Sequence, residues 1–122
     1  MNNAVNTEGR IAANKALQVL EVFRSLNQDM PIGEAVSFLL IANGETRDGG
    51  GISVTELGKR GDFALASASR YMRSLAHKNR LGEPGHELVS AVEHPLDGRS
   101  KVLRLSDDGR ALLANIRTIL EK

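Results

Sequence analysis

The stretch PLDGRSKVLRLSDDGRALL, residues 95–113, closes a hairpin and opens a helix in one short run, and few small folds accommodate that junction. Asp97-Gly98 is a two-residue reversal signal, residues 101–105 alternate charged with apolar side chains, and Ser106, Asp107 and Asp108 begin an amphipathic segment. Arg99 and Lys101 stand beside the hairpin tip, where no packing rewards a cation. They require another explanation.

The elements before that junction are mostly helical. Residues 1–9 are polar and unpatterned, as expected of a disordered arm. Leu17, Val19, Leu20, Phe23 and Leu26 then recur at helical spacing, predicting a first helix over 11–26. Met30-Pro31 breaks it, and Pro31 suits the first position of a second helix reaching residue 42, apolar on most faces and therefore central. GETRDGGG, residues 44–51, reads as a surface loop; it lacks the Gly-Lys-Ser/Thr that a phosphate-binding loop needs. Ile52 suits a minimal strand.

Ser53-Val54-Thr55-Glu56 matches a capping box and starts a short third helix over 54–60, with Gly61 placed to end it in the left-handed conformation. A fourth helix over 65–78 follows, with Asp62 its only evident cap. Its inner face carries Leu65, Ala68, Met72 and Leu75, and its outer face Ala66, Arg70, Arg73, Ser74 and His77. Gly82, Pro84 and Gly85 end the helical region, residues 88–93 and 102–105 form the hairpin, and residues 110–120 form a fifth helix with Leu112, Leu113, Ile116, Ile119 and Leu120 in a stripe. The expected fold is mainly α with a small β-hairpin: a winged helix-turn-helix of five helices and a two- or three-stranded sheet.

At 122 residues the chain suits one domain, here expected over 10–122, with the flanking helices 10–27 and 107–121 used in dimerisation. The absence of cysteine excludes disulfides and thiolate metal sites and fits a reducing cytoplasm. Residues 35–42, the longest apolar run, fall far short of the roughly 20 a membrane helix needs. A net charge of +1 gives no general attraction to nucleic acid, so any such role must come from clustered charge.

The charge is clustered. Between residues 59 and 80, Lys59, Arg60, Arg70, Arg73, Lys78 and Arg80 face Asp62 alone, a local balance of +5, and the hairpin's second half adds Arg99, Lys101 and Arg104. A short helix, a tight turn and a second helix with outward arginines is a helix-turn-helix whose second helix enters the major groove, and the hairpin after it is the wing.

These segments, VTELGKRGDFALASASRYMRSLAHKNRLGE followed by HPLDGRSKVLRLSDDGRALL, resemble the MarR family of winged helix-turn-helix transcription regulators over about residues 30–113. The resemblance rests on the ordered combination of Ser69-Arg70 in the recognition helix, Asp97 and Arg99 in the wing, and Leu105-Ser106-Asp107-Asp108-Gly109 at the opening of the last helix. It departs in the glycine-rich loop 44–51, in Ala64 where a capping serine is expected, and in a single C-terminal helix where the family has a pair.

The resemblance implies a double-stranded DNA-binding regulator, a repressor by default, acting as a cytoplasmic homodimer with no cofactor and no membrane association. Whether a small-molecule effector exists is open. Ser67, Ser69, Arg70, Arg73 and His77 would face the major groove; Arg99 and Lys101, in a wing over 94–101, would meet the adjacent minor groove or phosphate. The alternative is a winged-helix protein–protein interaction module, or a replication or partition accessory factor.

Blander readings compete at single positions. Taken alone, outward arginines are usually a solvated surface. His77, His86 and His94 lack the i, i+4 pairing of a metal site, and no His and Asp are patterned around the serines, so no metal site and no enzyme is expected. For Tyr71, packing and phosphate contact are equally open.

Overall fold

Helix α1 (Asn3–Leu26) starts at Asn3, well ahead of the Ile11 at which the apolar spacing begins, so most of the expected disordered arm over 1–9 is helix. The reason is physical: residues 7–14 are exposed, so a helix there has no buried face to imprint on the sequence. Once nucleated, such a helix extends at little further cost. The computed structural model describes residues 3–45, 50–76, 85–93 and 101–122.

The chain divides into two compact units, Met1–Met30 with Leu112–Lys122, and Pro31–Ala111. The first holds α1 and the end of the C-terminal helix, with Phe23, Ile116 and Ile119 as its buried apolar side chains. Lys15 Nζ donates to the Leu120 carbonyl at 3.3 Å, joining the two segments. Ile11, Leu17, Leu20 and Leu120 are exposed.

The second unit is built from α2 (Ile32–Gly44), α3 (Val54–Gly61), α4 (Leu65–Leu75), β1 (Val89–Glu93), β2 (Lys101–Leu105) and the start of α5 (Asp107–Glu121). α2 is central as expected, meeting α3, α4 and β2. It buries Ala35, Phe38 and Ile41 on one side and exposes Ile32, Val36 and Leu39 on the other. Ser37, also buried, donates to the Gly33 carbonyl at 2.7 Å, so its hydroxyl costs the core no unpaired polar group.

The capping box at Ser53 forms. Glu56 N donates to Ser53 Oγ at 3.1 Å, and Ser53 N donates to Glu56 Oε1 at 3.4 Å. β1 and β2 pair antiparallel in register, Val89 opposite Leu105 and Glu93 opposite Lys101. Ile52 adds a single bridge to Leu103, whose N–H donates to the Ile52 carbonyl at 2.8 Å. The sheet is therefore two-stranded, with one residue standing in for a third strand.

Three local expectations are corrected. The left-handed position after α3 belongs to Asp62, at φ 56°, and not to Gly61, which remains helical and lies so close to the Phe63 ring that a Cβ there would clash. Aspartate tolerates this conformation better than most residues. Leu65, expected on the inner face of α4, is 58% exposed, because it opens the helix ahead of the turn that packs.

α4 also ends at Leu75, not at residue 78. The chain returns at 86–88 and takes its last carbonyls: His86 N donates to Ser74 O at 3.0 Å, Glu87 N to Ala76 O at 2.7 Å, and Leu88 N to Leu75 O at 2.8 Å. Gly85 is required there, since a Cβ would lie 2.6 Å from the Ala76 carbonyl oxygen.

Candidate nucleic-acid interface

The helix pair of the second unit is tight because of what fills its turn. Phe63 N donates to the Gly58 carbonyl at 2.8 Å, and a Cβ on Gly58 would come within 3.2 Å of the Phe63 oxygen, so glycine at 58 lets the turn fold back onto α3. α4 leaves the turn with Ala64 at its N-cap and no side-chain cap. Ala68 and Leu75 bury its inner side.

The opposite side carries the expected residues. Arg70 and Arg73 are exposed, and among the described residues neither has a carboxylate partner. Ser67 and Ser69 are half-buried at its edges. Lys101 is exposed at the start of β2, opposite Glu93 in the register. Arg99, the Asp97-Gly98 reversal, most of the wing over 94–101, and His77 lie outside the described residues.

The cationic set is narrower than charge counting implies. Arg104, counted with the hairpin, turns to Glu45, its Nε 3.6 Å from Oε1. Arg60 pairs with Glu56 one turn earlier on α3 at 3.6 Å. Lys78 and Arg80 lie outside the described residues. What remains on the helix pair as outward charge with no carboxylate partner among the described residues is Lys59, Arg70 and Arg73.

Tyr71 packs. Its ring meets Phe63 edge-on, centroids 5.3 Å apart at 72°, and presses on Gly33 of α2, where a Cβ would lie 2.7 Å from its Cε2, Cζ and hydroxyl atoms. The Arg70 guanidinium stands over the ring, 5.3 Å from its centroid. Sequence reasoning missed this cluster. The available signal was Gly33 itself, a glycine within the first turn of α2.

His86, considered above among possible metal ligands, instead faces Glu34, with Nε2 3.5 Å from Oε2. Glu34 is buried, and its Oε2 has no hydrogen-bond donor among the described residues. Among those residues no three of His, Asp and Glu converge as metal ligands, and no helix is long and apolar enough to cross a membrane.

The Leu105–Gly109 signature is a packing junction. Ser106 N donates to the Leu88 carbonyl at 2.9 Å, Ser106 Oγ donates to the Glu87 carbonyl at 2.6 Å, and Gly109 N donates to Ser106 Oγ at 3.0 Å, capping α5. A Cβ on Gly109 would collide with the Leu88 carbonyl oxygen. The serine and glycine are thus both fixed by the crossing of the hairpin's first strand over the start of the helix.

No protein-family model matches the sequence, and no curated protein matches it by sequence. Solved structures do match. MepR from S. aureus, crystallised as a DNA complex, superposes with a TM-score of 0.63 at 19% identity, over 98% of this chain and 84% of that one. CouR from Rhodococcus jostii RHA1, bound to p-coumaroyl-CoA, gives 0.61 at 12% identity over 93% and 69%. The transcriptional regulator BldR from Sulfolobus solfataricus gives 0.56 at 13% over 98% and 75%. The fold is the MarR-like winged helix. In that fold α3 and α4 form the helix-turn-helix, and β1 and β2 are the stem of the wing.

Proposed function

We propose that this MarR-like chain is a sequence-specific, double-stranded DNA-binding transcriptional regulator, a cytoplasmic repressor rather than an enzyme. The observation that carries the reading is the pair Arg70 and Arg73, exposed and without a carboxylate partner among the described residues, on the second helix of a glycine-tightened helix pair. A guanidinium offers two N–H donors in the geometry of guanine O6 and N7, and each such contact discriminates by about 1–3 kcal/mol. MepR, with the same fold, is seen bound to DNA.

Ser67 and Ser69 flank the arginines for base or phosphate contact, and His77 is assigned to the same groove. Lys101 and Arg99 serve the wing, on phosphate or in the minor groove. The exposed apolar residues Ile11, Leu17 and Leu20 of α1 and Leu120 of α5 supply the surface for a homodimer. Two recognition helices would then sit one helical turn apart, about 34–36 Å, on an inverted repeat.

Selecting bound fragments from random duplex DNA with the purified chain tests this. Enrichment of an inverted repeat, bound with an affinity that falls steeply with salt, supports the regulator. No enrichment and no DNA affinity, with a protein partner co-purifying instead, favours the interaction-module alternative.

A further inference from the structure

We propose that Tyr71 is a positioning residue for Arg70, and that Gly33, on a different helix, sets the position of Tyr71. The proposal rests on the DNA-binding reading above. An unsupported arginine on an exposed helix face samples many rotamers, and ordering it on a base loses that freedom. Here the guanidinium lies over the Tyr71 ring, 5.3 Å from the centroid and within cation–π range.

A ring can hold a cation in place only if the ring is itself held. Tyr71 is held twice: Phe63, in the turn between α3 and α4, meets it edge-on at 5.3 Å, and the first turn of α2 presses on its outer end. The second contact exists because residue 33 is glycine, since a Cβ there would stand 2.7 Å from three atoms of the tyrosine. The path runs from Gly33 on α2 through Tyr71 to Arg70 on the recognition helix. Neither Gly33 nor Tyr71 need touch DNA for the specificity of Arg70 to depend on both.

The test uses the full chain and its selected duplex. Affinities for that duplex and for a scrambled one are measured at fixed salt for the parent, Tyr71→Phe, Tyr71→Leu, Gly33→Ala, Arg70→Ala and the Arg70→Ala/Tyr71→Leu double variant. Melting curves check that each variant is folded. In the free protein, NMR should show Arg70 side-chain protons shifted by the ring current of Tyr71, the chain's single tyrosine, and this shift should vanish in Tyr71→Leu.

Tyr71→Leu should lower the specific-to-scrambled ratio about five-fold, the size of a cation–π contact of about 1 kcal/mol. Scrambled-duplex affinity and salt slope should not move. Tyr71→Phe should keep the ratio, Gly33→Ala should lower it, and Tyr71→Leu should do nothing further once Arg70 is alanine. A selective parent in which Tyr71→Leu leaves the ratio unchanged, or acts equally with and without Arg70, overturns the positioning role alone. So does the absence of the ring-current shift. A parent with no sequence preference overturns the regulator reading, and the positioning role with it.

Discussion

Glu45, the residue that caps the end of α2, accepts a hydrogen bond from the Leu105 backbone N–H in β2 at 2.6 Å. The same carboxylate lies 3.4 Å from Arg110 Nη2 and 3.6 Å from Arg104 Nε, and Arg110 Nη1 donates to the Leu105 carbonyl at 2.7 Å. One side chain thus ties the central helix to the wing strand and to the start of α5. Glu45→Ala leaves a partly buried N–H and two guanidinium groups without their acceptor and should cost about 2 kcal/mol in urea denaturation. Glu45→Gln, whose amide oxygen can still accept from Leu105, should cost less. Equal losses for the two variants would mean that charge, and not the backbone bond, is what matters there.

Gly109→Ala sets two effects against each other. Alanine favours a helix over glycine by about 1 kcal/mol, but its Cβ would collide with the Leu88 carbonyl oxygen, which already accepts from Ser106 N. Steric strain should win, with a net loss of about 1–3 kcal/mol read as a lower melting temperature. A stabilised variant would show that the strand and helix can separate freely.

The cap on α3 is testable in isolation. Ser53→Ala removes the acceptor for Glu56 N, which lies 3.1 Å from the hydroxyl, and should destabilise the fold by about 1 kcal/mol in chemical denaturation. Ser53→Asp should restore most of that loss, since aspartate caps as well as serine.

At the turn, Asp62 adopts φ 56°. Asp62→Ala should cost about 1 kcal/mol because a Cβ without a local polar partner is disfavoured there, whereas Asp62→Gly should be neutral or stabilising. Thermal melts that put alanine level with glycine would contradict the conformational account.

The residues proposed to face DNA should separate by kind of loss. Arg70→Ala and Arg73→Ala should each remove about 1–3 kcal/mol of discrimination at the base pair they read, leaving binding to scrambled duplex largely intact. Arg99→Ala should weaken all sequences evenly and reduce the salt slope by about one. A competition titration in which Arg70→Ala retains the parent's selectivity would remove α4 from the role of reading helix.

Much of this molecule is written locally. The capping box at Ser53, the break at Met30-Pro31, the central α2 and the alternating strand that became β2 depend on residues a few positions apart, and all are found. The order of short helix, tight turn, helix and hairpin follows from the same local signals, which is why the winged fold was legible.

The failures have two causes: a deciding partner that lies far along the chain, or a helix face that buries nothing. α4 stops at Leu75, where residues 86–88 return from along the chain to pair with its last carbonyls. α1 reaches Asn3 along an exposed face that leaves no periodicity to read.

The charge pattern shows the same division. Composition and spacing placed cations on two elements, but only tertiary contacts decided that Arg104 is engaged by Glu45, 59 positions before it in sequence, while Arg70 and Arg73 stay carboxylate-free among the described residues. A sequence fixes which side chains share a face of a helix, because that face is set by 3.6 residues per turn. Which of them finds an opposite charge, a ring or a glycine across the fold is settled only when distant segments meet, as Gly33 and Tyr71 do.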